Sequence, residues 1–316
     1  MGKMKWVLGI VAMGFSLYLM SYFILCKVHY RELPMVYLFS DYLGPNGGFT
    51  YNKSLEWNAA LERYEDWDVI VLGASRAERS YDPEYFANNG VKLFNWGTSA
   101  QSLQNSALLL ENLLLQTHPK EIWLDLVPAS FKPEALESTA DLIQNVTADE
   151  WAFQLAFSSG DIRVINLLTK RFFCNNTVWE SKGKSVYHGR GFVAVKDSMG
   201  SEVFQSCQLG PFPEKAFISP SDDAFSSLES IMKKCKDRGI QLRIIVSPTT
   251  PLYNVHDHAW MMQWLKERQA TSGFDLFDFS GDKRFAVSDH FYDEKHLNRA
   301  GALKFDSLFL STISGR

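Results

Sequence analysis

The stretch Asp68-Val-Ile-Val-Leu-Gly-Ala-Ser-Arg76 decides how this chain is read. Val69 to Leu72 is an unbroken apolar run, the pattern of a strand covered on both faces. Gly73 and Ala74 leave room for a tight turn, which sets Ser75 at the C-terminal end of that strand. Just beyond, Asp82-Pro-Glu-Tyr-Phe86 opens a helix, with proline at its first position and acid in its first turn.

The same rhythm continues outward. Val91-Lys-Leu-Phe-Asn-Trp96 reads as a second short strand, closed by Gly97-Thr-Ser99. A leucine-rich helix follows from Leu103 to Gln116 and stops at His118-Pro119. Glu121 to Val127 is a third strand, stopped by Pro128. Strand and helix in alternation with short loops predict a parallel α/β sheet. The rhythm breaks over residues 131–220, where helical pieces (Ala148 to Ala156, Ile162 to Phe173) precede a polar, glycine-rich stretch from Lys182 to Gly210. This region reads as an insertion above the sheet edge. Alternation resumes with a helix from Ser221 to Arg238, a strand from Ile240 to Val246 and a helix from Asp257 to Thr271. A last strand at Leu276 to Phe279 and a final helix from about Arg299 to Ile313 complete the pattern.

The N-terminus carries a different signal. Trp6 to Cys26 is 21 residues without a charge, about 31 Å of helix against a hydrocarbon core of about 30 Å. Lys3 and Lys5 precede it and favour a cytoplasmic N-terminus; Lys27, His29 and Arg31 follow it and oppose that bias. A cleaved signal peptide wants an Ala-x-Ala-like site, which Tyr18 to Cys26 does not offer, and Phe23-Ile-Leu-Cys26 is too bulky for lipoprotein processing. The expected organisation is a transmembrane anchor at 1–26, a connector at 27–65 and one catalytic-size domain at 66–316 outside the cytoplasm. A net charge of −4 offers no basic surface for nucleic acid. Of four cysteines, Cys26 falls in the span, and Cys174 and Cys207 flank the polar stretch where they could pair in an oxidising compartment; three free thiols is the equally open reading.

In an open parallel sheet, ligands bind beyond the C-terminal strand ends. That rim collects Ser75, Gly97 and the late segment Asp293-Glu-Lys-His-Leu-Asn298. A serine hydroxyl is a weak nucleophile until a base takes its proton; an imidazole does that, and a carboxylate orients the imidazole. Ser75, His296 and Asp293 are therefore the candidate nucleophile, base and orienting acid. The N–H groups of Ser75 and Gly97 are candidate oxyanion donors, and Arg76, Asn95 and Asn298 are candidate substrate contacts. Arg76 and Arg79 read equally well as a solvent-facing basic turn. Trp179 and Tyr187 are the two aromatic residues placed to stack on a sugar. Asp289, His290, Asp293 and His296 lie close enough to ligate zinc, but their spacing matches no zinc signature, and no metal or cofactor is expected.

Three blocks, Gly73-Ala-Ser-Arg76, Phe94-Asn-Trp-Gly-Thr-Ser99 and Asp293-x-x-His296, resemble those of the SGNH, or GDSL-like, hydrolases. The tail Asp293-x-x-His-Leu-Asn-x-x-Gly-Ala302 resembles the membrane-anchored branch, which includes the D-alanyl transfer protein of teichoic acids and the alginate O-acetylation proteins. The resemblance implies a three-layer α/β/α sandwich, an acyl-serine at Ser75 and a cell-envelope polysaccharide as acyl acceptor or substrate. It also implies an integral membrane O-acyltransferase as donor partner. The family's Gly-x-Asn-Asp block is missing: the matching region reads Trp123-Leu-Asp-Leu-Val-Pro-Ala-Ser-Phe131. That gap keeps a second expectation open, a catalytically inactive polysaccharide-binding or assembly component on the same fold.

Overall fold

In a computed structural model the described residues are 2–30, 33–35, 53–63, 65–133, 136–146, 148–173, 185–200, 204–205, 219–250 and 255–315. The turn-rich connector around Asp41 to Gly48, Trp179, Cys174 and Cys207 lie outside them.

Five strands build the central sheet: β1 (Val69–Gly73), β2 (Leu93–Asn95), β3 (Glu121–Asp125), β6 (Gln241–Val246) and β7 (Asp275–Asp278). They lie side by side in the order β2-β1-β3-β6-β7, every pair parallel. Successive side chains of a strand point to opposite faces, and here both faces are buried. Ile70, Leu72, Ile122, Leu124, Leu242, Ile244 and Val246 enter one apolar cluster. Val69, Val71, Trp123, Ile245 and Phe277 enter another. This two-sided burial is why the strands read as continuous apolar runs.

The first cluster is closed by α2 (Lys53–Glu62), α5 (Leu103–Leu113), α9 (Asp222–Asp237) and α10 (Val255–Ser272), through residues such as Trp57, Leu110, Leu228 and Leu265. The second is closed by α3 (Ser75–Ser80), α4 (Pro83–Asn88) and α12 (Arg299–Ser314), through Ala77, Phe86, Phe305 and Phe309. The architecture is a three-layer α/β/α sandwich, as the resemblance implies, on the parallel sheet that the alternation predicts. Local caps start three of the helices: Asp82 accepts from the Glu84 N–H, Ser102 from Asn105 and Ser221 from Ala224.

Residues 136–173 form three helices, α6 (Leu136–Asn145), α7 (Asp149–Ser159) and α8 (Ile162–Phe173). They add Leu142, Trp151, Leu155 and Leu167 to the first cluster. The polar stretch contains a two-stranded antiparallel hairpin, β4 (Ser185–Gly189) and β5 (Phe192–Val195), rather than unstructured chain throughout. Its turn continues the edge strand, since Arg190 C=O accepts the Asn95 N–H at 2.9 Å. Phe192 to Val195 is wholly buried, which explains a strand in a region that otherwise reads as polar.

The N-terminal helix α1 (Gly2–Lys27) is apolar enough from Lys3 to Lys27 to cross a membrane. One feature corrects the sequence reading: Cys26 is disulfide-bonded, so it is more than a residue of the span. Cys235 is free and buried.

Candidate active site

The site is built by three segments at the C-terminal rim of the sheet. Gly73 ends β1 with φ +138, and a Cβ there would sit 2.5 Å from the Asp125 carbonyl oxygen. Only glycine permits both that conformation and that approach. The chain turns through Ala74 directly into α3, whose first residue is Ser75. The Ser75 N–H therefore stands at the first helical position, where no intrahelical partner exists.

The imidazole comes from the other end of the chain. Phe291 and Leu297, both buried, pair as an antiparallel bridge and pinch residues 291–297 into a compact turn. Asp293 Oδ1 accepts the N–H groups of Lys295 at 2.9 Å and His296 at 2.8 Å. The three-residue spacing is thus the geometry of a carboxylate closing its own turn. The same carboxylate accepts from His296 Nδ1, at 2.8 Å to Oδ2 and 3.0 Å to Oδ1. His296 Nε2 lies 2.8 Å from Ser75 Oγ, across 221 positions of sequence. The structure brings Ser75, His296 and Asp293 into one continuous hydrogen-bonded chain.

The electrostatics suit a base. Burial lowers the His296 pKa from its ordinary 6.5, and Arg79 and Lys295 lower it further against the opposing pull of Asp293. Burial alone would raise Asp293, but the hydrogen bond and charge of His296, with the two backbone donors, outweigh it and hold the carboxyl at about 2. At neutral pH the pair is therefore a carboxylate beside a neutral imidazole. With Nδ1–H donated to Asp293, the Nε2 lone pair faces the serine hydroxyl.

Several neighbours carry no sequence signature. The Tyr292 ring stacks on the His296 ring at 5.4 Å and 7°, and its hydroxyl lies 3.1 Å from Nδ1. The Arg79 guanidinium sits 5.2 Å from the Tyr292 ring centroid. Thr250 Oγ1 donates to the Glu294 carbonyl and ties the turn to the end of β6. Beneath the nucleophile helix, Lys53 is fully buried, pairs with Glu78 at 2.9 Å and also donates to the Gly97 carbonyl. Nothing in the residues around Tyr292 or Lys53 marks them in advance, because their roles depend on contacts remote in sequence.

Four expected site residues have other tasks. The Gly97 N–H donates to Asn95 Oδ1 at 2.9 Å, so it is not aimed at a reacting carbonyl. Gly97 is glycine because a Cβ would lie 2.5 Å from the Glu78 nitrogen. Asn95, wholly buried, also donates to the carbonyls of Ala77 at 2.9 Å and Tyr81 at 3.2 Å, locking α3 to the edge strand. Arg76 turns inward, donating to the Ser247 carbonyl and, at 2.9 Å, to its hydroxyl. It holds α3 against the end of β6. Asn298 caps α12 by accepting the Gly301 N–H at 2.8 Å and donates to the Asp289 carbonyl at 2.8 Å. None of the last three presents its polar group to a substrate. His290, the last residue of the short helix α11 (Val287–His290), bonds to the Ala286 carbonyl at 3.2 Å and meets Lys304 at 3.4 Å. Tyr187 donates to Glu56 rather than standing open as a platform.

No family model matches the sequence, and no curated protein matches it. Among solved structures the chain is similar to a protein assigned as an acylhydrolase from Bacteroides fragilis, at 14% identity and TM-score 0.42, covering 83% of this chain and 95% of that one. It is also similar to a GDSL-like lipase from Bacteroides thetaiotaomicron, at 10% identity and TM-score 0.40, covering 83% and 98%. An esterase from Pseudoalteromonas matches at 10% identity and TM-score 0.38, covering 78% and 97%.

Proposed function

We propose that this chain is a membrane-anchored, SGNH-like serine esterase or O-acyltransferase that works through an acyl-Ser75 intermediate on a cell-envelope polysaccharide. The observation that carries the reading is the unbroken chain Ser75 Oγ, His296 Nε2, His296 Nδ1, Asp293, with 2.8 Å at each link. Ser75 Oγ attacks an ester carbonyl while His296 Nε2 takes its proton. Collapse of the tetrahedral adduct expels the alcohol, which leaves with that proton and Ser75 acylated. A sugar hydroxyl or water, deprotonated by the same imidazole, then attacks the acyl-serine and restores the free hydroxyl. Asp293 holds the imidazole's tautomer and offsets its charge. The Ser75 N–H is the oxyanion donor in this scheme.

The anchor reading places α1 across the membrane and residues 66–316 outside the cytoplasm. The bond at Cys26 supports it, since disulfides persist in oxidising compartments and this one lies at the exit end of the helix. The polysaccharide and a membrane O-acyltransferase partner remain part of the proposal by resemblance. A binding-only component is the second reading, favoured by one observation: the Gly97 N–H is committed to Asn95, which thins the oxyanion site.

Hydrolysis of a soluble acetyl ester by the detergent-solubilised full chain separates the two. The enzyme reading expects turnover that disappears in Ser75→Ala with folding retained. Turnover unchanged in Ser75→Ala, or none in the wild type with any acetyl donor, would refute it.

A further inference from the structure

The helices α7 and α8 carry an aromatic surface that the proposed chemistry does not use. Phe157 is 72% exposed, Ile162 67%, Phe172 46% and Phe153 41%. The Phe153 ring lies 6.2 Å from Phe157 and 5.3 Å from Phe172, so the three rings form one continuous patch. Clusters of this kind on a soluble surface need an explanation.

Their position supplies one. Helix α8 packs along the outer half of α1. Tyr18 hydroxyl meets Asn166 Oδ1 at 2.6 Å and Thr169 Oγ1 at 3.4 Å, and the Phe23 ring meets Phe173 edge-on at 5.7 Å. Later residues of α1 meet later residues of α8, so the two helices run parallel. The start of α8, and the α7–α8 turn before it, therefore point back toward the N-terminus of α1. Ile162 lies four residues before Asn166, about 6 Å further along. The tip of the hairpin is thus alongside the stretch before Tyr18, well inside the apolar window Lys3–Lys27.

We infer that the α7–α8 hairpin is a second membrane contact, with its exposed rings against the acyl chains of the leaflet through which α1 leaves the bilayer. The inference rests on α1 crossing the membrane. The pairing sets the depth: Tyr18 lies eight residues, about 12 Å, before Cys26 at the exit end of the span. The charged pair at the hairpin tip, Arg163 with Asp161 at 2.6 Å, neutralises itself, which lowers its cost beside acyl chains. At the far end of the hairpin, Arg171 turns inward to the Ile143 carbonyl at 2.9 Å and to Asp149 at 3.0 Å. Lipid is the occupant that the geometry favours over a protein, because the patch continues a helix surface already apolar over the length of a bilayer. The consequence is an orientation: two contacts fix the domain's tilt, where a single helix would let it swivel.

Depth-dependent quenching tests this. A bimane label is placed in the full chain through Phe157→Cys, Ile10→Cys or Arg284→Cys, each reconstituted alone in vesicles with brominated lipids. Cys235 is buried, and burial pushes its thiol up to about 12; label taken up by the chain's other native thiols is measured on the unsubstituted protein and subtracted. The expected result is at least about a twofold loss of fluorescence at positions 157 and 10, and none at 284, which is exposed beside the opposite core cluster. Quenching at 10 without quenching at 157 overturns the hairpin contact while leaving the anchor intact, and points to a protein partner for the patch. Quenching at neither position overturns both.

Discussion

Two loops at the same rim were candidates to serve Ser75, and they behave in opposite ways. The turn at 291–297 delivers its polar groups outward: Asp293 closes the turn, then turns its second oxygen to His296, which reaches the serine. The loop at 95–101 turns its polar groups on the scaffold. Asn95 binds Ala77, Tyr81 and Gly97, and Gln101 Oε1 accepts the Gly73 N–H at 3.1 Å. The first loop does chemistry on a fold that the second holds in place. Substitutions in the first should therefore remove activity and leave stability, and those in the second should do the reverse.

The sharpest break of that contrast would come from the triad itself. Ser75→Ala or His296→Ala should lower kcat by at least about 10³-fold in steady-state ester hydrolysis, with the melting temperature within about 2 °C of wild type. Asp293→Asn should lower kcat by about 10²–10⁴-fold, because the imidazole loses both its orienting acceptor and its counter-charge. In the other loop, Gly97→Ala puts a methyl group against the Glu78 nitrogen. Calorimetry should find it destabilised by about 1–3 kcal/mol, with less activity lost per folded molecule than in any triad variant. A Gly97→Ala protein of unchanged stability and abolished turnover would return Gly97 to the oxyanion site.

The pH profile sharpens the same comparison. Since His296 is lowered below its ordinary value, kcat/KM should rise with pH through a midpoint below 6.5 and then level off. The direction follows because only neutral imidazole accepts the serine proton. The linked stability has the same sign. The unfolded histidine binds its proton at a higher pH than the folded one, so this contribution fades as pH falls below 6.5. A midpoint above 6.5 would mean that Asp293, not burial, dominates the imidazole. Smallest of all, Tyr292→Phe keeps the stacked ring and loses a hydroxyl 3.1 Å from Nδ1. It should reduce kcat by about two- to fivefold with KM unchanged, the scale of the one hydrogen bond that the hydroxyl gives to the Asp293 carboxylate.

Sequence alone made the fold legible because the sheet is buried on both faces. Val69 to Leu72, Ile122 to Leu124 and Ile244 to Val246 announce themselves as apolar runs, and Asp82, Ser102 and Ser221 mark helix starts through local hydrogen bonds. The Asp293–His296 spacing was legible for the same reason: the carboxylate bonds within its own turn. What stayed hidden was decided by partners far along the chain. Arg76, Asn95 and Asn298 look available beside a nucleophile until Ser247, Ala77 and Asp289 are seen to occupy them. Tyr292 and Lys53 gain their places only when the two ends of the chain meet at α3. The β4–β5 hairpin was concealed because its flanks are polar and only Phe192 to Val195 is apolar.

The central claim is that His296 makes Ser75 nucleophilic. Intact mass spectrometry after exposure to a fluorophosphonate measures this directly, in the wild type, Ser75→Ala and His296→Ala. The account predicts one adduct in the wild type, located on Ser75, and none within the same time in either variant. A wild-type protein that takes up no label, or an equal labelling rate in His296→Ala, would contradict it.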